Sequence, residues 1–143
     1  MINQYIGKLK ASWNERGFAI FLGVLAMFCL MLGAAYWVRL IGVYNEPLWR
    51  YDLMPWNWRI LCCSLAILYP IAACGLWMGS KWGVILWLLG GFVEAVCYTF
   101  YASYFELHLV VPFIHTLFVI AYATLTFFKI KESRKPQAIV VEY

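Results

Sequence analysis

Four long apolar runs, separated by short polar stretches, dominate the pattern along the chain. They extend over roughly Gly17 to Val38, Trp58 to Met78, Trp82 to Phe105 and Leu109 to Phe128. Each run is close to the ~20 residues that a helix needs to cross a bilayer. Because the backbone must satisfy its own hydrogen bonds in lipid, and the alternation of barrel strands is missing, the runs predict helices. We therefore expect an all-α membrane protein, with an antiparallel bundle of four transmembrane helices over residues 17–128.

The segment ahead of the first run has a different periodicity. Its apolar residues fall on one stripe at helical spacing, and polar residues occupy the other positions. The stripe consists of Ile2, Tyr5, Ile6, Leu9 and Trp13. This pattern is typical of an amphipathic helix that lies in the membrane interface. Residues 1–16 are therefore expected to form an interfacial helix on the inner side, which anchors the chain or docks a partner. The first apolar run is too long for a cleaved signal peptide, so we expect it to remain as a span.

The composition agrees with a chain that lies in lipid. The 143 residues are 65% hydrophobic and 13% charged, and the mean hydropathy is +0.76. Ordinary soluble domains are only about 45–50% apolar. The net charge of +4 comes from basic residues that are divided among several segments. Because no basic groove interleaved with aromatic residues appears, we expect no nucleic-acid partner.

The distribution of basic residues predicts the orientation. Eight of the eleven Lys and Arg residues lie before the first span, between the second and third spans, or after the fourth. The other three are Arg39, Arg50 and Arg59. Cytoplasmic loops carry an excess of Lys and Arg, so both termini are expected in the cytoplasm. Residues 129–143 would then form a cytoplasmic tail.

The predicted outer loop between the first two spans is rich in aromatic residues. Trp49, Trp56 and Trp58 are expected at the level of the lipid headgroups, where tryptophan is enriched. Arg50 and Asp52 lie among them. Two interpretations remain open: an aromatic belt that anchors the loop, or a docking surface on which Arg50 and Asp52 meet a partner or a lipid headgroup.

The same loop carries a resemblance to a known group of proteins. Its pattern is Gly42-x-Tyr44, followed by Leu48-Trp49-Arg50-Tyr51-Asp52-x-Met54-Pro55-x-x-Trp58. In a four-span chain of this length, the pattern resembles a family of uncharacterised inner-membrane proteins from alphaproteobacteria. The resemblance implies a bacterial inner membrane, and it assigns no activity or catalytic residue.

The third apolar run contains one acidic residue, Glu94, near its middle. An ionisable group at that depth costs ~3 kcal/mol on insertion scales and usually marks a functional site or a structural partnership. Tyr98 and Tyr101 share its helical face, which we expect to point into the bundle. Arg39 at the end of the first span and His115 in the fourth are the candidate partners. An unpaired Glu94 would be protonated, whereas either partner could hold the carboxylate.

Other chemistry has little support in the residues. The two histidines, His108 and His115, lie close together in the chain, and the five cysteines form no Cys-x-x-Cys pair. Neither a metal site, an internally ligated haem nor a disulfide framework is therefore expected. Since a nucleophile with a base and a second intramembrane carboxylate are also missing, we expect no catalytic residue and no cofactor.

Three functions remain open. The favoured one is a small noncatalytic integral membrane subunit or assembly partner of a larger membrane complex, because it requires no chemistry beyond what the residues offer. The second is a quinone- or lipid-binding component of a membrane enzyme, with Glu94 and His115 beside the pocket. The third is a proton-coupled small transporter that uses Glu94 near the middle of the membrane. The expected partners are the lipid bilayer and other membrane proteins or further copies of this chain.

Overall fold

A computed structural model describes residues 13–105 and 109–133, which form four α-helices. These are α1 (Trp13–Ile41), α2 (Trp56–Trp77), α3 (Lys81–Thr99) and α4 (Val110–Ser133). A short 3-10 helix, Pro47–Trp49, lies in the connection between α1 and α2. The predicted interfacial stripe from Ile2 to Leu9 and most of the predicted tail lie outside the described residues. Trp13 is the first residue of α1.

All four helices are long and apolar enough to cross a membrane. The segments that meet this condition are Glu15–Ile41, Trp56–Trp77, Lys81–Thr99 and Val110–Lys131. The prediction of four helices of membrane-spanning length is therefore confirmed. The third helix ends at Thr99, whereas the predicted span continues to Phe105. The chain turns here, and the N–H groups of Tyr104 and Phe105 donate to the carbonyl of Tyr101. Tyrosines favour the membrane interface over the hydrocarbon, which fits a helix end at this point.

The second helix, α2, lies at the centre of the packing. Half of its span is buried, against 28% for α1, 33% for α3 and 6% for α4. It packs along α1 on one side and along α3 on the other. Small residues allow the close approach to α1, since a Cβ atom on Gly33 would lie 2.8 Å from Cδ of Pro70. The proline of α2 thus packs against a glycine of α1.

The contact between α2 and α3 is closer still. Gly75 and Gly83 face each other, and a Cβ atom on Gly75 would lie 2.6 Å from the Cα atom of Gly83. About two helical turns further along α3, a Cβ atom on Gly90 would lie 3.0 Å from Cε1 of Tyr69. Small residues at helix interfaces let membrane helices approach and gain van der Waals contact, which is the main attraction between them in lipid. These glycines therefore bring α3 close enough for its polar side chains to reach α2.

The fourth helix, α4, packs mainly through rings. The ring of Phe118 packs at a tilt against two rings of α1, with its centroid 4.9 Å from that of Phe28 and 6.1 Å from that of Phe21. Tyr122 lies 5.9 Å from Phe18. Most other large apolar side chains of α4 are exposed. The position of α4 therefore depends on a few aromatic contacts and on its polar contact at His115.

We predict that Gly83→Ala weakens the packing of α2 against α3. The added methyl group would overlap the backbone of Gly75, and overpacking of this kind costs about 1–3 kcal/mol. The measurement is the free energy of unfolding in detergent micelles titrated with sodium dodecyl sulfate. Gly23→Ala is the matched control, because a Cβ atom there meets nothing within 4 Å. Equal stability of the two variants would contradict the close glycine contact.

Candidate functional site

Glu94 lies in the interior of the described bundle, with 0% of its surface exposed. It occupies the face of α3 that also carries Gly90 and Tyr98, both buried. Gly91 on α3 leaves room for the His115 ring, since a Cβ atom there would lie 3.0 Å from its Nδ1. Tyr101, which the sequence places on the same face, follows the end of α3 and is 53% exposed. Because the helix ends at Thr99, Tyr101 no longer follows the helical periodicity that links Tyr98 to Glu94.

The carboxylate of Glu94 contacts one residue from each of the other three helices. The hydroxyl of Tyr36 on α1 donates to Oε1, and the hydroxyl of Tyr69 on α2 donates to Oε2. The Nε2 atom of His115 on α4 lies 2.9 Å from Oε2. A carboxylate offers acceptor sites on both oxygens. Glu94 therefore joins all four helices through hydrogen bonds.

Two further residues extend this network. The Tyr98 hydroxyl lies 2.8 Å from the hydroxyl of Tyr36, and Nε1 of Trp87 donates to Nδ1 of His115 over 3.1 Å. Tyr69 and His115 are also neighbours, with 3.2 Å between the hydroxyl and Nε2. We call these six residues the Glu94 network: Tyr36, Tyr69, Trp87, Glu94, Tyr98 and His115. Every one of them is buried.

The hydrogen-bond partners in the network indicate which atoms of His115 and the tyrosines donate a hydrogen. An indole N–H can only donate, so Nδ1 of His115 accepts from Trp87 and carries no hydrogen. His115 is therefore neutral, and its Nε2–H donates to Glu94. Since Tyr36 gives its hydrogen to Glu94, the bond between the two tyrosines is donated by Tyr98. Tyr36, Tyr69 and His115 donate directly to Glu94, and an ionised carboxylate can accept all three hydrogen bonds.

Arg39 does not contact Glu94. Its guanidinium lies over the rings of Trp49 and Trp58, 4.7 Å and 5.3 Å from their centroids. Of the two candidate partners, His115 is thus the one that bonds to Glu94. Arg39 nevertheless lines a cavity of about 200 Å³ that Glu94 also reaches.

The charged residues of the connection between α1 and α2 form a local pair. Arg50 donates to Asp52 through Nε and Nη2, over 3.1 Å and 2.8 Å. These hydrogen bonds hold the pKa of the Asp52 carboxyl below its usual range. The pair is therefore lost only as the pH falls through that lowered pKa. Arg59 fixes the end of the connection by donating to the carbonyls of Met54 and Asp52.

The tryptophans of this connection occupy different environments. Trp56 is 69% exposed, whereas Trp58 is only 2% exposed. The Trp58 ring packs against Tyr98 and Phe105, with centroids 6.1 Å and 5.4 Å away. Trp58 is therefore a residue of the core, although the sequence groups it with the aromatic residues of the outer loop. The reason is that α2 begins at Trp56, which turns Trp58 towards the bundle.

Three members of the Glu94 network were missed by reasoning from the sequence: Tyr36, Tyr69 and Trp87. Each lies within an apolar span, where aromatic residues are ordinary packing residues. A signal was nevertheless present, since a buried tyrosine or tryptophan needs a partner for its polar tip. Trp87 also lies two helical turns before Glu94 on the same face of α3. For the tyrosines, the sequence does not show which side of each helix faces α3.

Metal-binding groups and disulfides are both missing from the described part of the chain. Within residues 13–105 and 109–133, no three His, Cys, Asp or Glu side chains are grouped closely enough to bind a metal ion. The cysteines are free; Cys29 and Cys62 are buried and Cys74 is exposed.

The fold and this buried site define a small multi-pass membrane protein. The chain belongs to a family of unknown function, DUF6163, whose model matches residues 16–133. No curated protein and no solved structure matches the chain. The matched region contains α1 from Arg16 onwards, the other three helices and the whole Glu94 network.

We predict that Glu94→Gln destabilises the bundle. Three groups donate to the two oxygens of Glu94, and a glutamine replaces one of these acceptor oxygens with an NH₂ donor, so a donor of the network loses its acceptor. A buried donor left without an acceptor costs about 1–3 kcal/mol. The free energy of unfolding in mixed detergent micelles should fall by that amount, with helix content retained in the folded state. Tyr101→Phe is the control and should leave the free energy of unfolding unchanged. A loss of stability in Tyr101→Phe but not in Glu94→Gln would contradict the assigned network.

Proposed function

We propose that this chain is a noncatalytic integral membrane subunit or assembly partner of a larger membrane complex. The observation that carries the proposal is that the protein's own side chains complete the Glu94 network. Both carboxylate oxygens of Glu94 and both ring nitrogens of His115 have partners on other residues. An acid and an imidazole bonded in this way are suited to fixing helices against one another, which is what a scaffold subunit requires.

The direction of the hydrogen bonds supports a structural role over proton transfer. A proton-coupled transporter needs a chain of groups that can each donate and accept between the two sides of the membrane. Here one branch ends at Trp87, whose indole N–H cannot accept a proton. Trp87 belongs to a buried core cluster that includes apolar residues such as Leu25, Ala72 and Leu76. The network therefore offers Glu94 no described route in that direction.

We further propose an antiparallel arrangement, with both termini on the cytoplasmic side of a bacterial inner membrane. The ring contacts support the antiparallel arrangement of α1 and α4. Residues with higher numbers in α1 contact residues with lower numbers in α4. Phe18 pairs with Tyr122, whereas Phe28 pairs with both Phe118 and His115. The positive-inside rule supports the orientation, since most Lys and Arg residues lie at the end that carries the termini.

The fourth helix is the surface that we propose for the partner. Its span is only 6% buried, and it presents large apolar side chains, among them Phe113, Leu117, Ile120 and Phe127. Apolar exposure alone is ordinary in lipid. Helices in membranes, however, are held by close packing, and α4 has little of it within this chain. A helix of another protein beside α4 would supply the missing packing.

We predict a topology that reporter fusions can test. Alkaline phosphatase is active only outside the cytoplasm, so a fusion after Asp52 should be active. A fusion after Ser80, in the connection between α2 and α3, should be inactive. Activity in a bacterial host, normalised to the amount of fusion protein, is the measurement. The reverse pattern would overturn the proposed orientation, and activity at both sites would overturn the four-span topology.

The subunit proposal predicts stoichiometric recovery of a membrane partner with the full chain from its native membrane in mild detergent. Ile120→Trp on α4 should reduce this recovery. Ile67→Trp on α2 is the matched control, because both isoleucines are 59% exposed. Quantitative mass spectrometry of the purified material gives the ratio of partner to chain. Recovery of the chain as a stable monomer, or an equal effect of the two variants, would count against the proposal.

A further inference from the structure

Arg39 is a cation without a carboxylate partner among the described residues. Its flat faces lie against Trp49 and Trp58, and its other close neighbour is the thiol of Cys62, a weak acceptor. In the described ranges, Asp52 is paired with Arg50, and Glu94 accepts a hydrogen bond from His115. A guanidinium stacked on rings still has donors along its planar edge. Within the described residues, the edge of the Arg39 guanidinium therefore has donors that no carboxylate accepts.

The cavity beside Arg39 has the form of an amphipathic site. Its volume is about 200 Å³, several times the ~30 Å³ that one water molecule takes up in the liquid. Apolar side chains of α1 and α4 form part of its wall: Leu32, Ala35, Val110 and Val111. The remaining lining residues are polar or charged: Tyr36, Arg39, Glu94 and Tyr98. One ligand could thus place a polar group and an apolar chain in the same space.

The electrostatics of the cavity decide where an anion would lie. The acceptor oxygens of Glu94 are already bonded by Tyr36, Tyr69 and His115, so Glu94 does not neutralise Arg39 directly. An anionic group is attracted at Arg39 and repelled near Glu94. It would therefore lie at the Arg39 end, with its apolar part along Val110 and Val111.

The position of Arg39 in the helix indicates the chemical class of that anion. Arg39 lies in the last turn of α1, which ends at Ile41, and Trp49 lies beside it. The end of a membrane span and its tryptophans mark the level of the lipid headgroups. The anions at this level are phosphates, and a guanidinium matches a phosphate with two parallel hydrogen bonds.

We propose that Arg39 and this cavity form a binding site for one anionic phospholipid. The phosphate accepts hydrogen bonds from the edge of the Arg39 guanidinium, and an acyl chain lies along the apolar wall between α1 and α4. The site also supplies packing at the end of α4 where contacts within the chain are few. This proposal is independent of whether the chain assembles with a larger complex.

Native mass spectrometry of the full chain, delipidated in dodecyl maltoside, tests the site. Three probes are added separately: dioleoylphosphatidylglycerol, dioleoylglycerol and inorganic phosphate. We expect one phosphatidylglycerol to be retained and the other two probes to dissociate. Retention of dioleoylglycerol to the same extent would show an apolar groove only. Retention of inorganic phosphate would show an anion site that needs no lipid. Either result would overturn the proposal.

Two variants and one control locate the lipid. Arg39→Gln should lower the affinity for phosphatidylglycerol by about tenfold or more, as expected when charge-assisted hydrogen bonds are lost. Ala35→Leu keeps the charge but fills the cavity, and it should also lower retention. Arg50→Gln is the control, because Arg50 lies in the connection that follows α1 and is already paired with Asp52. Circular dichroism and size exclusion verify folding. Unchanged retention in Ala35→Leu, or an equal loss in Arg50→Gln, would contradict this location.

Discussion

The fold depends on one carboxylate that accepts hydrogen bonds from three helices other than its own. In lipid no hydrophobic force draws helices together, and a single interhelical hydrogen bond contributes only about 0.6 kcal/mol on average. Leaving a charged group at this depth without partners costs ~3 kcal/mol. The hydrogen bonds around Glu94 therefore act mainly by disfavouring other packings of the helices. Any packing that separates Tyr36, Tyr69 or His115 from Glu94 leaves the buried carboxylate with fewer hydrogen bonds.

The glycines and the polar residues depend on each other. Gly83 and Gly75 bring α2 and α3 together, and Gly90 and Gly91 leave space for the rings of Tyr69 and His115. Without that space the tyrosine hydroxyl and the imidazole could not reach the carboxylate. Close packing at the glycines is thus a condition for the hydrogen bonds. The hydrogen bonds then select the arrangement of helices in which Glu94 has its partners.

The sequence predicts the four helices well, because span length and hydropathy are local properties. It also identifies Glu94 and His115, since ionisable residues are rare within apolar runs. It does not identify Tyr36 and Tyr69 as partners, because aromatic residues abound in this chain and only the helix order selects two of them. Charge alone makes Arg39 a candidate partner of Glu94 beside His115. The stacking of Arg39 on Trp49 and Trp58 depends on the path of the connecting loop, which no periodicity predicts. The end of α3 at Thr99 was missed because five of the six residues from Phe100 to Phe105 are apolar or aromatic.

His115 gives α4 its register. Rings and aliphatic side chains along α4 would pack almost equally well after a small rotation or a shift along the helix axis, because lipid accepts any apolar face. An imidazole has no such freedom. A rotation by one residue turns it by about 100°, away from Glu94 and Trp87 and into hydrocarbon. One side chain near the start of α4 therefore sets both the depth and the rotation of the whole helix, and so determines which face that helix offers to its surroundings.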